Sequence, residues 1–178
     1  SRRQQAVGGV REGGVTAAEF LTPPFGADLR ARLLALNNQH AEELSYKTEE
    51  QFADLFDRAS VVLTESQGLA LLVGFHEHCF YDNPNFDWLK GRFARFIYID
   101  RIVVNAAARG QGLAKQLYGF LEDKALLDRR ERLVCEINSV PPNPQSDAFH
   151  RKLGFVPVGE QVLEDRGKTV RYWAKELG

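Results

Sequence analysis

The chain has 178 residues and a mass of 20.1 kDa, room for one ordinary domain. Hydrophobic residues make up 44% and aromatics 11%, which excludes wholesale disorder. Twenty-three Lys and Arg against 24 Asp and Glu leave a formal net charge of −1, without the cationic excess that wrapping nucleic acid requires. Cys79 and Cys135 are the only cysteines and form no C-x-x-C pair, so a reducing cytoplasm is the expected setting. No apolar run reaches the ~20 residues that span a bilayer, and the N-terminal Ser1–Ala6 lacks the apolar core of a secretory signal. No membrane association is expected.

In residues 1–27, Gly8-Gly9, Gly13-Gly14 and Pro23-Pro24 interrupt any period. A loosely ordered segment with at most a short strand or helix is expected there, followed by a single domain over 28–178. Asp28 reads as the N-cap of a helix whose face carries Leu29, Leu33, Leu36 and the pair Ala35/His40. Thr48 with Gln51 three residues on predicts a second, capped helix that buries Phe52, Leu55 and Phe56. Ser60–Thr64 and Leu69–Phe75 then read as a hairpin across Ser66-Gln67-Gly68. Tyr81–Trp88 reads as a polar loop, and Arg95–Val104 as a long strand. A helix follows over Gly112–Arg129, with Leu113, Leu117, Phe120, Leu121 and Leu126 as its stripe. Leu133–Asn138 is a strand, Ser146–Lys152 a short helix ended by Gly154, and Phe155–Leu163 and Thr169–Ala174 a closing strand pair. This order predicts an α/β (α+β) domain with a mixed, mostly antiparallel central sheet flanked by helices.

The segment Ile102–Ala114 carries the strongest chemical signal. A strand ends, a short loop turns, and a helix opens on small residues. Backbone N–H groups at such a helix start lack internal partners, and the helix dipole adds roughly half a positive charge there. Gly110, Gly112 and Ala114 remove side chains that would hold a ligand away, which suits a phosphate or pyrophosphate. A G-x-G-x-x-G fingerprint would need glycine where Lys115 stands, and a P-loop would need G-K at the loop's end. A glycine-rich turn without ligand is the competing reading of the loop alone.

Arg109-x-x-Gly112-x-Ala114 after Ile102-Val103-Val104 resembles the acetyl-CoA-binding motif R/Q-x-x-G-x-G/A of the GNAT superfamily of N-acetyltransferases, in a bacterial-type branch. Cys135–Asn138 resembles the family's fifth strand. Asn143 and Ala148–Phe155 resemble its Asn and its fY-x-x-L-G-F signature, with His150 where the family commonly has Tyr. The match runs over roughly residues 95–173. It implies acetyl transfer from acetyl-CoA to an amine by direct attack, with a GNAT-like acyl-CoA N-acyltransferase fold. Backbone groups of Ile102, Val103 and Val104 are expected to hold the pantetheine arm. The amides of Arg109, Gly110, Gln111, Gly112, Leu113, Ala114 and Lys115 are expected to hold the pyrophosphate, with Asn143 at the cofactor arm.

The chemistry needs a base, an oxyanion donor and a proton for the leaving thiolate. Asp100 and Glu136 lie in apolar strand sequence, where desolvation would raise a carboxyl pKa toward neutrality. Asp100 could instead pair with Arg95 or Arg101, while Glu136 stands where some GNAT members carry their base. A backbone N–H near Val103 or Val104 could serve the oxyanion. His150 could protonate the thiolate, or only pack and bond a carbonyl.

His76-Glu77-His78-Cys79 offers two histidines to one strand face, but no partner motif completes a metal site, so no metal is expected. The Tyr81–Trp88 loop could line a pocket for a cationic amine or be a surface loop pinned by Phe86 and Trp88. Asn37, Asn38 and His40 are candidates for the acceptor side, and the stiff Pro141–Pro144 stretch for a wall of the cofactor groove. The expected acceptor is a small-molecule amine rather than a protein, and a homodimer through the late strands would fit. The alternatives are a catalytically weak CoA-binding regulatory or sensing domain, and an interaction domain without ligand.

Overall fold

Short apolar runs that pair edge to edge organise the chain around one sheet. The computed structural model describes residues 6–7 and 19–178. Their strands are β1 (Ala6–Val7), β2 (Phe20–Leu21), β3 (Val61–Glu65), β4 (Ala70–His76), β5 (Phe96–Val104), β6 (Arg132–Val140), β7 (Val156–Leu163) and β8 (Lys168–Glu176). They lie in the order β1-β2-β3-β4-β5-β6-β8-β7, and β5 with β6 is the parallel pair among antiparallel neighbours. The mixed, mostly antiparallel sheet expected from the element order is therefore found. Of the segment 1–27, residues 1–5 and 8–18 lie outside the described residues. β2 lies between β1 and β3, and both Phe20 and Phe25 are buried.

Helices cover both faces. On one, α1 (Ala27–Gln39), α3 (Glu49–Arg58) and α4 (Pro84–Lys90) pack on a core that includes Val73, Phe75, Tyr98, Val134 and Tyr172. On the other, α5 (Leu113–Leu127) and α6 (Pro144–Lys152) pack on Ile97, Ile99, Leu133, Cys135 and Trp173. A one-turn helix, α2 (Ala41–Leu44), follows α1. The Thr48–Gln51 capping box forms as predicted, each side chain bonding the other residue's backbone N–H.

Several expectations shift. The cap of α1 is Gly26, and Asp28 sits in the first turn, where its charge still meets the helix dipole. Ala35 is exposed, and the buried fourth member of that face is Asn37. In α5, Ala125 is buried and Leu126 points outward, because the true helical phase runs through Leu117, Tyr118 and Leu121. Most of the Tyr81–Trp88 loop is helical instead: α4 starts within it at Pro84 and runs on to Lys90. Asn83 caps it by accepting from the Asn85 and Phe86 amides, and Pro84 opens it with no N–H to lose. Trp88 then stacks on Tyr172 with ring centroids 4.0 Å apart. Gly159 makes room for that indole, since a Cβ there would stand 2.5 Å from it.

Two irregularities of β5 prepare the site. Val73 pairs with Arg101 but the next residue, Gly74, pairs with Ile99, so Asp100 is an extra residue, a bulge. Side chains otherwise alternate between faces along a strand, so the bulge sets Asp100 and Arg101 on the same face. Consistent with this, Tyr98 and Val103 belong to the α1/α3/α4 core, whereas Ile99, Ile102 and Val104 pack against the α5/α6 core. Further, β5 pairs with β6 only from Phe96↔Arg132 to Tyr98↔Val134. Beyond that point the two strands part.

Candidate active site

The parting of β5 and β6 opens a cleft of about 740 Å³. Asp100, Arg101 and Ile102 line one strand's side of it and Glu136, Ile137 and Asn138 the other. Of the sequence-predicted residues, the cleft brings together Asp100, Ile102, Glu136, Asn143 and His150. Val103 and Val104 continue β5 beyond it, and the Arg109–Lys115 loop lies at the start of α5.

The two carboxylates live differently. Asp100 Oδ2 accepts from Arg101 Nε at 2.7 Å, with the two side chains 3% and 4% exposed. Its Oδ1 accepts from the Tyr81 hydroxyl at 2.5 Å, and the Tyr81 ring is stacked on Phe75. Arg101 also donates to the Asn37 carboxamide at 2.6 Å. Of the two arginines weighed as partners for Asp100, Arg101 takes the place, and Arg95 pairs with Glu131. Burial alone would lower the Arg101 pKa, but the charge and hydrogen bond of Asp100 raise it above its ordinary value.

Glu136 shares that face of the sheet, opposite Tyr172 of β8. Its Oε2 is buried and has no hydrogen-bond partner among the described residues. Burial, followed by the nearby charge of Asp100, pushes its pKa up to about 8, while the adjacent Tyr98 hydroxyl and Lys168 pull the other way. A carboxyl so poised is divided between its acid and base forms near neutrality and can take a proton from a bound ammonium group.

On the opposite face, His150 is 5% exposed and doubly held. Its Nδ1 lies 2.7 Å from the Ser146 carbonyl, which can only accept, so this nitrogen carries the proton. Nε2 then accepts from the Tyr118 hydroxyl at 2.6 Å. Burial lowers the His150 pKa, opposed by the Ser146 carbonyl and Asp147, so the ring is neutral near pH 7. Burial also raises the Tyr118 pKa well above its ordinary value. Tyr118 lines the cleft with His150, a partnership hidden in the sequence by the helical stripe to which Tyr118 belongs.

At the start of α5, Gly110 and Gly112 have φ of +80° and +76°, a region that favours glycine. A Cβ added at Gly110 would meet nothing within 4 Å, and one at Gly112 only the tip of Gln116 at 3.9 Å, so the backbone is open to a ligand. No side chain caps the helix, which leaves its first N–H groups to an outside acceptor. Arg109 Nη2 lies 3.3 Å from His40 Nε2. These features fit a diphosphate. Asn143 caps α6 through its carboxamide oxygen, which accepts from Ser146 N at 3.2 Å.

The other candidates settle into structural places. Asn37 and Asn38 donate to the Ser45 and Lys47 carbonyls and so pin the link between α2 and α3. His76 ends β4, with Nε2 3.1 Å from Asp128, while His78 lies beyond the strand in an exposed turn. The two therefore do not share a strand face. Both cysteines are free. No helix among the described residues is long and apolar enough to cross a membrane.

Residues 28–155 match the sequence model of the "Acetyltransferase (GNAT) family". No curated protein matches the chain in sequence. Among solved structures, the chain is similar to one of the NatC complex bound to Gag peptide and CoA, at 15% identity and a TM-score of 0.65 over 89% of this chain and 99% of that one. The ribosomal-protein-alanine N-acetyltransferase of Brucella melitensis is similar at 23% identity and a TM-score of 0.62, covering 86% and 97%. A nourseothricin acetyltransferase matches at 20% identity and a TM-score of 0.51, covering 66% of this chain and 64% of that one. At these identities the likeness is one of fold.

Proposed function

The chain belongs to the acetyltransferase (GNAT) family, and from that premise we propose that it passes an acetyl group from acetyl-CoA directly to a primary amine while both are bound. The observation that carries this reading is the buried Glu136 carboxylate, with an unpartnered oxygen, in the opening between β5 and β6. The proposed acceptor is a small polar amine.

Acetyl-CoA supplies the activated thioester, and the chain supplies position and proton management. The amides from Arg109 through Lys115 hold the diphosphate, favoured by the dipole of α5. The edge of β5 at Ile102, Val103 and Val104, free of β6, holds the pantetheine arm in strand fashion and offers an N–H to the thioester oxygen as negative charge develops there. Asn143 keeps its amide nitrogen for the cofactor arm while its oxygen caps α6. Glu136 removes a proton from the ammonium group, freeing the nitrogen lone pair. Asp100, committed to Arg101 and Tyr81, holds the charged wall in place and sharpens the basicity of Glu136. His150 and Tyr118 protonate the departing sulfur as a pair. The Tyr118 hydroxyl, held by the neutral Nε2, passes its proton to the sulfur, and the proton that the nitrogen sheds as the amide forms restores the phenol.

The test is a library of amines assayed for thiol release from acetyl-CoA, beside calorimetry with CoA. Transfer to an amine that falls sharply in Glu136→Gln, with CoA binding kept, supports the reading. Heat with CoA but no transfer to any amine favours a sensing domain, and no heat at all removes the cofactor assignment.

A further inference from the structure

We propose that the acceptor is an amine bearing a carboxylate, a small amino acid, whose anionic group is held between Lys47 and Arg166. This inference rests on the transferase reading above and specifies its substrate class.

Three cations line the cleft on the Glu136 side without a partner. Lys47 comes from the link between α2 and α3, Arg166 from the turn between β7 and β8, and Lys168 from the start of β8. None of the three side chains makes an ion pair or hydrogen bond among the described residues, whereas Arg101 on the same wall is paired with Asp100 and bonded to Asn37. The cations crowd one another. Burial and then the charge of Arg101 lower the Lys47 pKa, Arg166 adds to the effect, and only Asp100 opposes it. Glu42, Glu43 and Asp82 also reach the cleft, but all three are exposed and none is among the charges acting on Lys47. A half-buried ammonium and an exposed guanidinium, with Asp100 the one anion acting on the ammonium and itself committed to Arg101, make a place prepared for an anion.

The position of Lys47 is built rather than incidental. Its N–H donates to Asn38 Oδ1 at 3.0 Å, and its carbonyl accepts from Asn38 Nδ2 at 2.9 Å, so one side chain of α1 clamps both backbone groups. Two residues earlier, Ser45 is held at φ +66°, in the region that favours glycine, by the bond from Asn37 to its carbonyl. These cations lie on the sheet face away from α5, whose N-terminus serves the diphosphate. They are therefore available to the acceptor rather than to the cofactor. Lys168 acts electrostatically on Glu136, so an anion held at this corner brings its own amine toward the base.

The test compares each common amino acid with its carboxamide, which keeps the amine and side chain but removes the negative charge. Initial rates are measured on the full chain at saturating acetyl-CoA. At least one amino acid is expected to exceed its amide by about tenfold or more in kcat/KM. Lys47→Ala with Arg166→Ala should erase most of that advantage by raising the KM for the acid. The KM for acetyl-CoA and the thermal midpoint should stay unchanged, and Lys47→Arg should keep the preference. Amides that react as well as acids, uncharged or purely cationic amines that outrun both, or a double variant that keeps the acid preference would each overturn the inference. If no amine in the wider library reacts while CoA still binds, the transferase reading itself falls, and this inference falls with it.

Discussion

Asp100 and Glu136 are carboxylates of adjacent strands, on the same face of one sheet and within electrostatic reach of each other, yet they are built for opposite ends. Asp100 is nearly inaccessible, but an arginine and a tyrosine take up its oxygens, so its charge is spent in the wall. Glu136 is buried with one oxygen unanswered, so its charge is costly and its proton affinity rises. Burial alone therefore does not mark a base. Burial without a partner does, and the partnered neighbour contributes by repelling.

The largest effect expected to test this contrast is on rate. Glu136→Gln should lower kcat by about 10²–10⁴-fold with little change in acetyl-CoA affinity. In the unaltered chain kcat/KM should rise with pH through about 8, as Glu136 loses its proton, and steady-state profiles of the variant should lack that limb. Asp100→Asn should act on the fold. It leaves the buried Arg101 without a counter-ion, a loss of about 3–5 kcal/mol that urea denaturation would read. Whatever activity survives should show its limb displaced below that of the unaltered chain, because a negative neighbour of Glu136 is gone.

A smaller, third effect concerns stability against pH. The folded chain raises the Glu136 pKa, so it binds this proton more tightly than the unfolded chain does. The contribution of Glu136 is then fully present below the ordinary carboxyl pKa and is lost as pH rises through about 8. Thermal midpoints should accordingly show Glu136→Gln more stable than the unaltered chain at pH 9, by a gain on the order of a few kcal/mol, and little different at pH 5. The smallest effect belongs to the other face. Tyr118→Phe removes the donor to His150 Nε2 and should slow turnover by about tenfold, roughly the worth of one hydrogen bond, with the limb near 8 unmoved. A change in that limb would mean that the two faces are not independent.

Local signals carried much of this arrangement. The capping box at Thr48, the hairpin about Gly68, the turn at Gly154 and the open glycines of the α5 loop each depend on residues near in sequence, and each could be read there. Glu136 was visible as an acid in an apolar strand. The bulge was not, because nothing in Ile99-Asp100-Arg101 differs from ordinary strand sequence, and the extra residue is defined only by its pairing across to β4. α4 hid in a run of Asp, Asn and Pro that reads as loop until Asn83 and Pro84 are seen to start a helix. Tyr118, Lys47 and Arg166 escaped for a similar reason. Each is unremarked in its own element and gains meaning from residues brought near by the fold, Tyr118 by one 32 positions away.

The surplus residue in β5 works as a phase shifter. Upstream of it, even-numbered side chains look toward α1; downstream, odd-numbered ones do. Were the bulge ironed out with every residue kept, regular parity would turn Ile102 and Val104 over to the opposite side, exchanging them with Arg101 and Val103. The guanidinium would then leave its asparagine on α1 and face the apolar packing of α5. The strand would still pair, but its outer half would present the wrong edge chemistry to everything docked along it.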